Sequence, residues 1–296
     1  MIAVVGDAAL DIYLVVQSLV GPDEKITATD GARALGGTGA NAAAAVVRLG
    51  GRARLHAALG CDGAGDWIWQ EISASGVETG GLLRVAGRST IAVIVSNDGH
   101  RSVIVDRGVA DEMARIDVPS ITRDASLVYL SAAPAALAAK VLTSSRVPVV
   151  VGFEARQAEE FATLVGRKRL AKLLGRAAAT ITNAAGAEAL ASIGAVTMSG
   201  LSAGALITTR GAAGSTLQLH GKPTVVVPAP IVRAIDPTGA GDCFAGAFCH
   251  FVSTGESFER ATQLATVAGS LAATKTGAQA SLPTEGEVRA LVASQR

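Results

Sequence analysis

From Leu127 to Ile193, short apolar runs alternate with longer helical patterns, and this rhythm restricts the possible folds more than any other feature of the chain. Leu127 to Leu130 is followed by a helical pattern at Ala135 to Leu142, Val147 to Val151 by Ala158 to Leu174, and Ala179 to Ile181 by Ala184 to Ile193. Apolar runs without polar alternation have no face to offer water, so each reads as a strand buried on both sides. Strands of that kind joined through helices form a parallel sheet with helices on both faces. Ligands then bind at the carboxyl ends of the strands. With 296 residues and 49% hydrophobic content, the core can serve one large α/β domain with a small appendage, or two small domains.

Ile2 to Val5 reads as another such strand and ends in Gly6-Asp7, with Asp11 just beyond. An Asx turn is expected at Asp7. Gly36-Gly37-Thr38-Gly39-Ala40-Asn41 then leads into an Ala-rich helix, Ala42 to Leu49, and its paired glycines let backbone approach a ligand or act as a hinge. Ser89 to Val95 and Arg101 to Val105 are β-rich and joined by Ser96-Asn97-Asp98-Gly99-His100, a hairpin signal. Ile91 to Val95 is apolar at every position, so both faces need covering. A lid that closes on a site and also pairs with a second subunit would cover both, with Ile91, Val93 and Val95 toward the ligand beside Tyr13 and Ile94 toward the mate. Tyr13 to Val16 and Ala32 to Leu35 could complete this lid, inserted from about 12–35 and 88–107. The alternative is a hairpin within the main sheet.

Chemistry concentrates in Asp236-Pro237-Thr238-Gly239-Ala240-Gly241-Asp242-Cys243-Phe244. Phe244, Ala247, Phe248, Phe251 and Val252 recur at helical spacing until Gly255, so Gly239 to Asp242 lies at a helix N-terminus. There the first N–H groups lack partners, the helix dipole is positive, and glycine admits a ligand close to the backbone. Asp242 would repel a resting phosphate but could take the proton of a hydroxyl attacking it. An anion cradle with a base at its edge points to phosphoryl transfer. The plainer reading is an Asp that caps a helix beside a glycine turn.

The full nonapeptide resembles the carboxyl-terminal signature of the ribokinase-like, phosphofructokinase B family of carbohydrate kinases, and the run from Gly36 through Cys61-Asp62 looks like the family's amino-terminal signature. The resemblance implies a Rossmann-like αβα sandwich with a mostly parallel sheet and a small β-sheet lid. It implies Asp242 as catalytic base, Gly239, Ala240 and Gly241 as the anion hole, and Asp11, Gly36, Gly37 and Asn41 as sugar contacts. Ribokinase-type members often carry Lys where this chain has Thr38. ATP and Mg²⁺ are the implied cofactors. The nucleotide would meet Asn183, Glu188, the strand end at Thr209, Gly211 and Gly214, and Thr266 at the adenine edge, with Val225 to Pro230 as a nearby wall. Where the family usually continues Asn-x-x-Glu after Asn183, this chain has Gly186; Glu188 matches a second acid common in the family, and Glu154 is either a substitute or a solvated helix-start residue. Thr274 to Pro283 resembles the segment that closes the adenine pocket, and it implies a K⁺ site made by Asp236, Thr238, Ala272, Gly277 and Ser281.

Charge and composition exclude other classes. Lys plus Arg at 26 against Asp plus Glu at 25 leaves a net +1 without a basic block, so neither nucleic acid nor an anionic membrane is implied. No stretch approaches a membrane span and no targeting segment stands out, which makes a reducing cytoplasm the default. Cys61, Cys243 and Cys249 lack metal or disulfide spacing and are expected as buried free thiols. Gly200-Leu201-Ser202-Ala203-Gly204 matches a hydrolase nucleophile elbow, yet a strand rather than a helix follows it. There is no P-loop motif and no His-Glu-x-x-His. The reading is an ATP-dependent kinase for an alcohol of a sugar, acting as a homodimer joined through its lid. A nucleoside is the second candidate substrate, disfavoured because the lid offers only Tyr13 for stacking. A catalytically silent sugar-binding module is the rival from another class.

Overall fold

The computed structural model describes residues 1–18, 21–97, 100–131, 133–195 and 204–294. Its main sheet has eight strands, in spatial order Val225–Val227, Ser215–Leu219, Ala205–Thr209, Ala179–Asn183, Val149–Phe153, Leu127–Ser131, Ile2–Val5 and Ala53–His56. The six strands from Ala205–Thr209 to Ala53–His56 are parallel, and the other two return antiparallel. Both sheet faces are covered. Ile2 and Val4 enter one core with Phe248 and Phe251, while Ala3 and Val5 enter the other with Leu137 and Phe161. That is why the strand is apolar at every position. The α/β sandwich expected from the strand and helix rhythm is therefore the fold of the chain.

Two helices depart from the sequence pattern. The single helix expected from Ala158 to Leu174 is two, Ala155–Val165 and Arg167–Leu174, because Gly166 between them sits at φ +84. A left-handed glycine ends a helix, whatever the apolar periodicity beyond it. The helix expected from Ala42 begins earlier, spanning Thr38–Arg48 with Gly37 at φ +93 as its N-cap, so Thr38 to Asn41 form its first turn. This helix lies against Ala240–Ser253 so closely that a Cβ on Gly246 would overlap the carbonyl oxygen of Ala42 and stand 2.8 Å from the Ala45 Cβ.

A separate four-stranded sheet runs in the order Asp30–Gly36, Ala9–Val15, Ile91–Asn97, His100–Asp106. The alternative of a hairpin inside the main sheet is thereby removed. The first hairpin strand, Ile91–Asn97, is shifted two residues along from the expected Ser89 to Val95, the second, His100–Asp106, is longer than expected, and the turn residues 98 and 99 lie outside the described residues. Pairing sets Asp11 opposite Ala92 and Tyr13 opposite Ile94, which in turn faces Val103. Directly paired residues share a face of a sheet. Ala92 and Ile94 therefore stand with Asp11 and Tyr13, and Ile91, Val93 and Val95 stand on the opposite face with Leu10, Ile12 and Leu14. This reverses the expected assignment. A run apolar at every position carries no alternation from which a face could be chosen.

Cys61 is exposed, contrary to expectation, whereas Cys243 and Cys249 are buried. Residues 200–203 of the elbow motif lie outside the described residues, and Ala205–Thr209 after them is a strand. Among the described residues no helix is long and apolar enough to cross a membrane.

Candidate active site

The site forms where the carboxyl ends of the parallel strands meet the amino ends of two helices. Asp7 follows the first strand, and it reaches across the chain instead of closing a local turn. Its Oδ1 accepts the Thr38 hydroxyl at 2.8 Å and the Gly39 N–H at 3.3 Å, and Thr38 Oγ1 accepts the Ser131 hydroxyl at 2.9 Å. Asp7 thus serves the start of the Thr38–Arg48 helix that its Gly37 N-cap cannot serve. A residue 31 positions away in the chain supplies the acceptor, which the local sequence does not reveal.

Asp11 projects from the small sheet over Gly36, where any Cβ would collide with its carboxylate. Burial first, then the charge of Asp7, pushes the Asp11 carboxyl up to about 6 against the hydrogen bond from Tyr13. Tyr13 itself is pushed up to about 12 by burial and by Asp11.

Asp242 is not the cap of its helix. Gly239 holds the N-cap at φ +76, and a Cβ there would stand 2.7 Å from the Ala278 Cβ, so glycine is required. Asp242 lies in the first helical turn, and its Oδ2 accepts the Asn41 amide at 2.9 Å. Asn41 Oδ1 in turn accepts the Gln279 amide at 3.1 Å. Gln279, which the motif reading did not single out, ties the closing segment to both signatures. Burial pushes the Asp242 carboxyl up to about 7; the Asn41 bond opposes this, while the charges of Asp7, Glu154 and Asp11 add to it. Gly241 has open space where its Cβ would be.

A cavity of about 120 Å³ lies against Asp242, with Thr38, Tyr129, Glu154, Asn183, Thr209 and Gly241 in its wall. A larger one of about 490 Å³ shares Thr38, Phe153, Glu154 and Gln157 with it and continues past Asp7 to Arg107 and Asp111. Asn183 caps the Ala184–Ser192 helix, accepting the Gly186 N–H at 2.8 Å. Gly211 and Gly214 follow the Thr209 strand end at φ +55 and +88. Two expected residues are not brought to this place. Glu188 is exposed on its helix and lines neither cavity, and Thr266 is buried with its hydroxyl donated to the Thr262 carbonyl at 2.8 Å and 2.7 Å from Ser215 Oγ.

The loop before Gly239 folds around Asp236. Burial raises the Asp236 carboxyl, but the N–H groups of Gly277 at 3.0 Å and Thr238 at 2.9 Å, with the Arg101 charge, hold it below its ordinary value. Nearby, the buried Ser281 hydroxyl has no hydrogen-bond partner, and Ala272 closes the Phe258–Ala272 helix. Arg101, on the edge strand of the small sheet, donates to Thr238 Oγ1 at 3.0 Å. Among the described residues no group of three or more His, Cys, Asp or Glu is set to hold a metal ion by itself. A divalent ion would need phosphate oxygens and water to complete its ligands.

Residues 1–285 match the profile of the pfkB family carbohydrate kinases. The bifunctional protein HldE of Caulobacter vibrioides is 33% identical over an alignment of 298 positions that covers 93% of this chain and 60% of that relative, so the chain spans only part of its length. The ribokinase of Bacillus subtilis is 27% identical over 304 residues, 98% of this chain and 99% of the relative. In structure, Thermotoga maritima ribokinase superimposes with a TM-score of 0.85 at 23% identity, covering 99% of each chain. Arabidopsis thaliana ribokinase, solved with ribose and ATP, gives a TM-score of 0.80 at 24% identity over 98% of each chain.

Proposed function

The chain belongs to the pfkB family of carbohydrate kinases, and from that premise we propose that it transfers the terminal phosphoryl group of ATP to a hydroxyl of a sugar or sugar-like substrate. The observation that carries the proposal is Asp242. It stands in the first turn of a helix whose N-terminal backbone is open at Gly241, and its carboxyl is raised to about 7. A base with that pKa is poised between holding and taking a proton at neutral pH. Asp242 accepts the proton of the substrate hydroxyl as its oxygen attacks phosphorus, the bond to the ADP oxygen breaks, and the Ala240 and Gly241 N–H groups meet the charge on the transferring group. Asn41 fixes the carboxylate through its amide. Asp11, Gly36 and Gly37 hold the sugar, and the small sheet closes over it as a lid. ATP as donor is supported by the structural neighbour solved with ribose and ATP.

The wall of the smaller cavity offers only oxygen and amide donors at Glu154, Asn183, Thr209 and Asp242, which suits Mg²⁺ better than a softer metal. When bound, Mg²⁺ neutralises phosphate charge. For K⁺ the fit rests on Ser281, a buried hydroxyl without a partner beside the Asp236 loop. Asp236, Thr238, Ala272, Gly277 and Ser281 would hold the ion and so order the loop that ends in Gly239. The outer face of the lid, carrying Ile12, Ile91 and Val93, would join two subunits.

An ADP-release screen across pentoses, hexoses, sugar acids, phosphosugars and nucleosides tests the proposal. At least one sugar should drive release, and Asp242→Asn should reduce it by about 100-fold or more. Sugar binding by calorimetry without ADP release from any candidate would overturn the kinase reading in favour of a silent binding module, and release with nucleosides alone would move the substrate class.

A further inference from the structure

Gly186 stands where the family usually has an acid, and its surroundings disfavour one there. A Cβ at Gly186 would collide with Thr182 Oγ1, which is bonded to the Phe153 carbonyl at 2.8 Å, and would stand 3.3 Å from that carbonyl oxygen. Any side chain at position 186 must break a buried hydrogen bond. The adjacent strand offers an alternative. Its parallel register pairs Gly152 with Ile181 and Phe153 with Thr182, so Glu154 emerges beside Asn183 at the strands' carboxyl ends. Glu154 enters the wall of the cavity against Asp242 together with Asn183, Thr209 and Gly241, whereas Glu188 lines neither cavity.

Electrostatics supplies an independent observation. The charge of Glu154 reaches both Asp242 and the buried Tyr129, raising each. Among the described residues, none of Asp7, Asp11, Glu154 and Asp242 is held in an ion pair. Glu154 and Asp242 line one cavity, the charges of Asp7 and Asp11 reach Asp242 as well, and a bound divalent ion would reverse the sign of that repulsion.

We infer that Glu154 is the carboxylate that positions the divalent ion of the metal–nucleotide complex through its water shell, taking the part that Gly186 cannot. The inference rests on the kinase reading. Its role is positioning, so the test reads metal binding rather than turnover. Mn²⁺ titrated into the full chain saturated with ADP is followed by electron paramagnetic resonance. Glu154→Gln should weaken Mn²⁺ in the ADP complex by on the order of 10-fold, the usual effect of losing an outer-shell partner, and leave metal-free ADP affinity unchanged. Glu154 also begins the Ala155–Val165 helix. Glu154→Asp keeps both a charge and a good N-cap, so recovery of Mn²⁺ affinity in that variant separates a lost acid from a disturbed helix. Glu188→Gln should match the wild type. Wild-type Mn²⁺ affinity in folded Glu154→Gln, or an equal loss in Glu188→Gln, overturns the inference. Failure of the kinase reading is a different result, the absence of ADP release with every candidate substrate, and it is read in that screen and not in Mn²⁺ affinity.

Discussion

Replacing Asp242 by Asn should cut turnover by about 100-fold or more and yet make the ligand-free protein more stable at pH 8. Burial, with Asp7, Glu154 and Asp11 adding to it and Asn41 opposing, lifts this carboxyl from 3.8 to about 7. Between those values the folded chain keeps a proton that the unfolded chain has released, so stability falls as pH rises and levels off above about 7. At 1.36 kcal/mol per unit, the folded state carries roughly 4 kcal/mol of destabilisation at pH 8 and about 2 kcal/mol at pH 5. Asparagine brings no charge to desolvate, and its side-chain oxygen can still accept the Asn41 amide. The variant's advantage should therefore grow by roughly 2 kcal/mol between pH 5 and pH 8, worth about 3 °C in Tm for a chain of this size. Urea unfolding of both proteins at the two pH values measures it. An advantage that is the same at both values, or absent at pH 8, would refute the claim that the site holds Asp242 in a costly ionised form.

The two glycines of the cradle should separate cleanly. Gly239→Ala, strained at φ +76 and crowded by Ala278, should lose about 1–3 kcal/mol of stability, whereas Gly241→Ala, with open space around it, should keep its Tm and lose kcat; a Tm drop in the second variant contradicts this. Enzyme stripped of monovalent cations should regain turnover with K⁺ but not with Na⁺, and Ser281→Ala should blunt the response; indifference to K⁺ removes the ion from the Asp236 loop. Val93→Asp should yield monomers in light scattering, because a symmetric contact meets the new carboxylate twice, while Ile94→Asp, on the Asp11 face, should leave assembly intact and weaken sugar binding. A wild type that is monomeric at high concentration refutes the dimer.

What could be read before the structure follows the range of the interactions involved. The Gly239–Asp242 cradle is built from consecutive residues and a helix they begin, so its shape is written locally. The parallel sheet is equally legible, because strands such as Ile2–Val5 must be apolar on both faces. The small sheet's facing was not legible: Ile91 to Val95 carries no polar position, and only the pairing of Leu10 to Val15 with it decides which residues look at Asp11. Asp7 and Gln279 were missed for a related reason. Their partners, Thr38 and Asn41, lie 31 and 238 positions away, and no local spacing encodes such a bond. Gly166 is itself a helix-stop signal, but the apolar period runs through it and masks the break.

The contact between the Thr38–Arg48 and Ala240–Ser253 helices has a consequence for how the site can evolve. One helix carries Asn41 and the other carries Asp242, and they touch through Gly246 and the Ala42 to Ala45 backbone, where there is almost no side chain to deform. Elsewhere in a protein core an added methyl group is absorbed by rotamer shifts in its neighbours. Here nothing flexible intervenes, so growth at Gly246 would be transmitted undiminished to the spacing of a single hydrogen bond about one helical turn away. Drift at this seam should thus disturb the Asn41–Asp242 pair before it disturbs the rest of the fold, whereas the small sheet can vary without moving that pair.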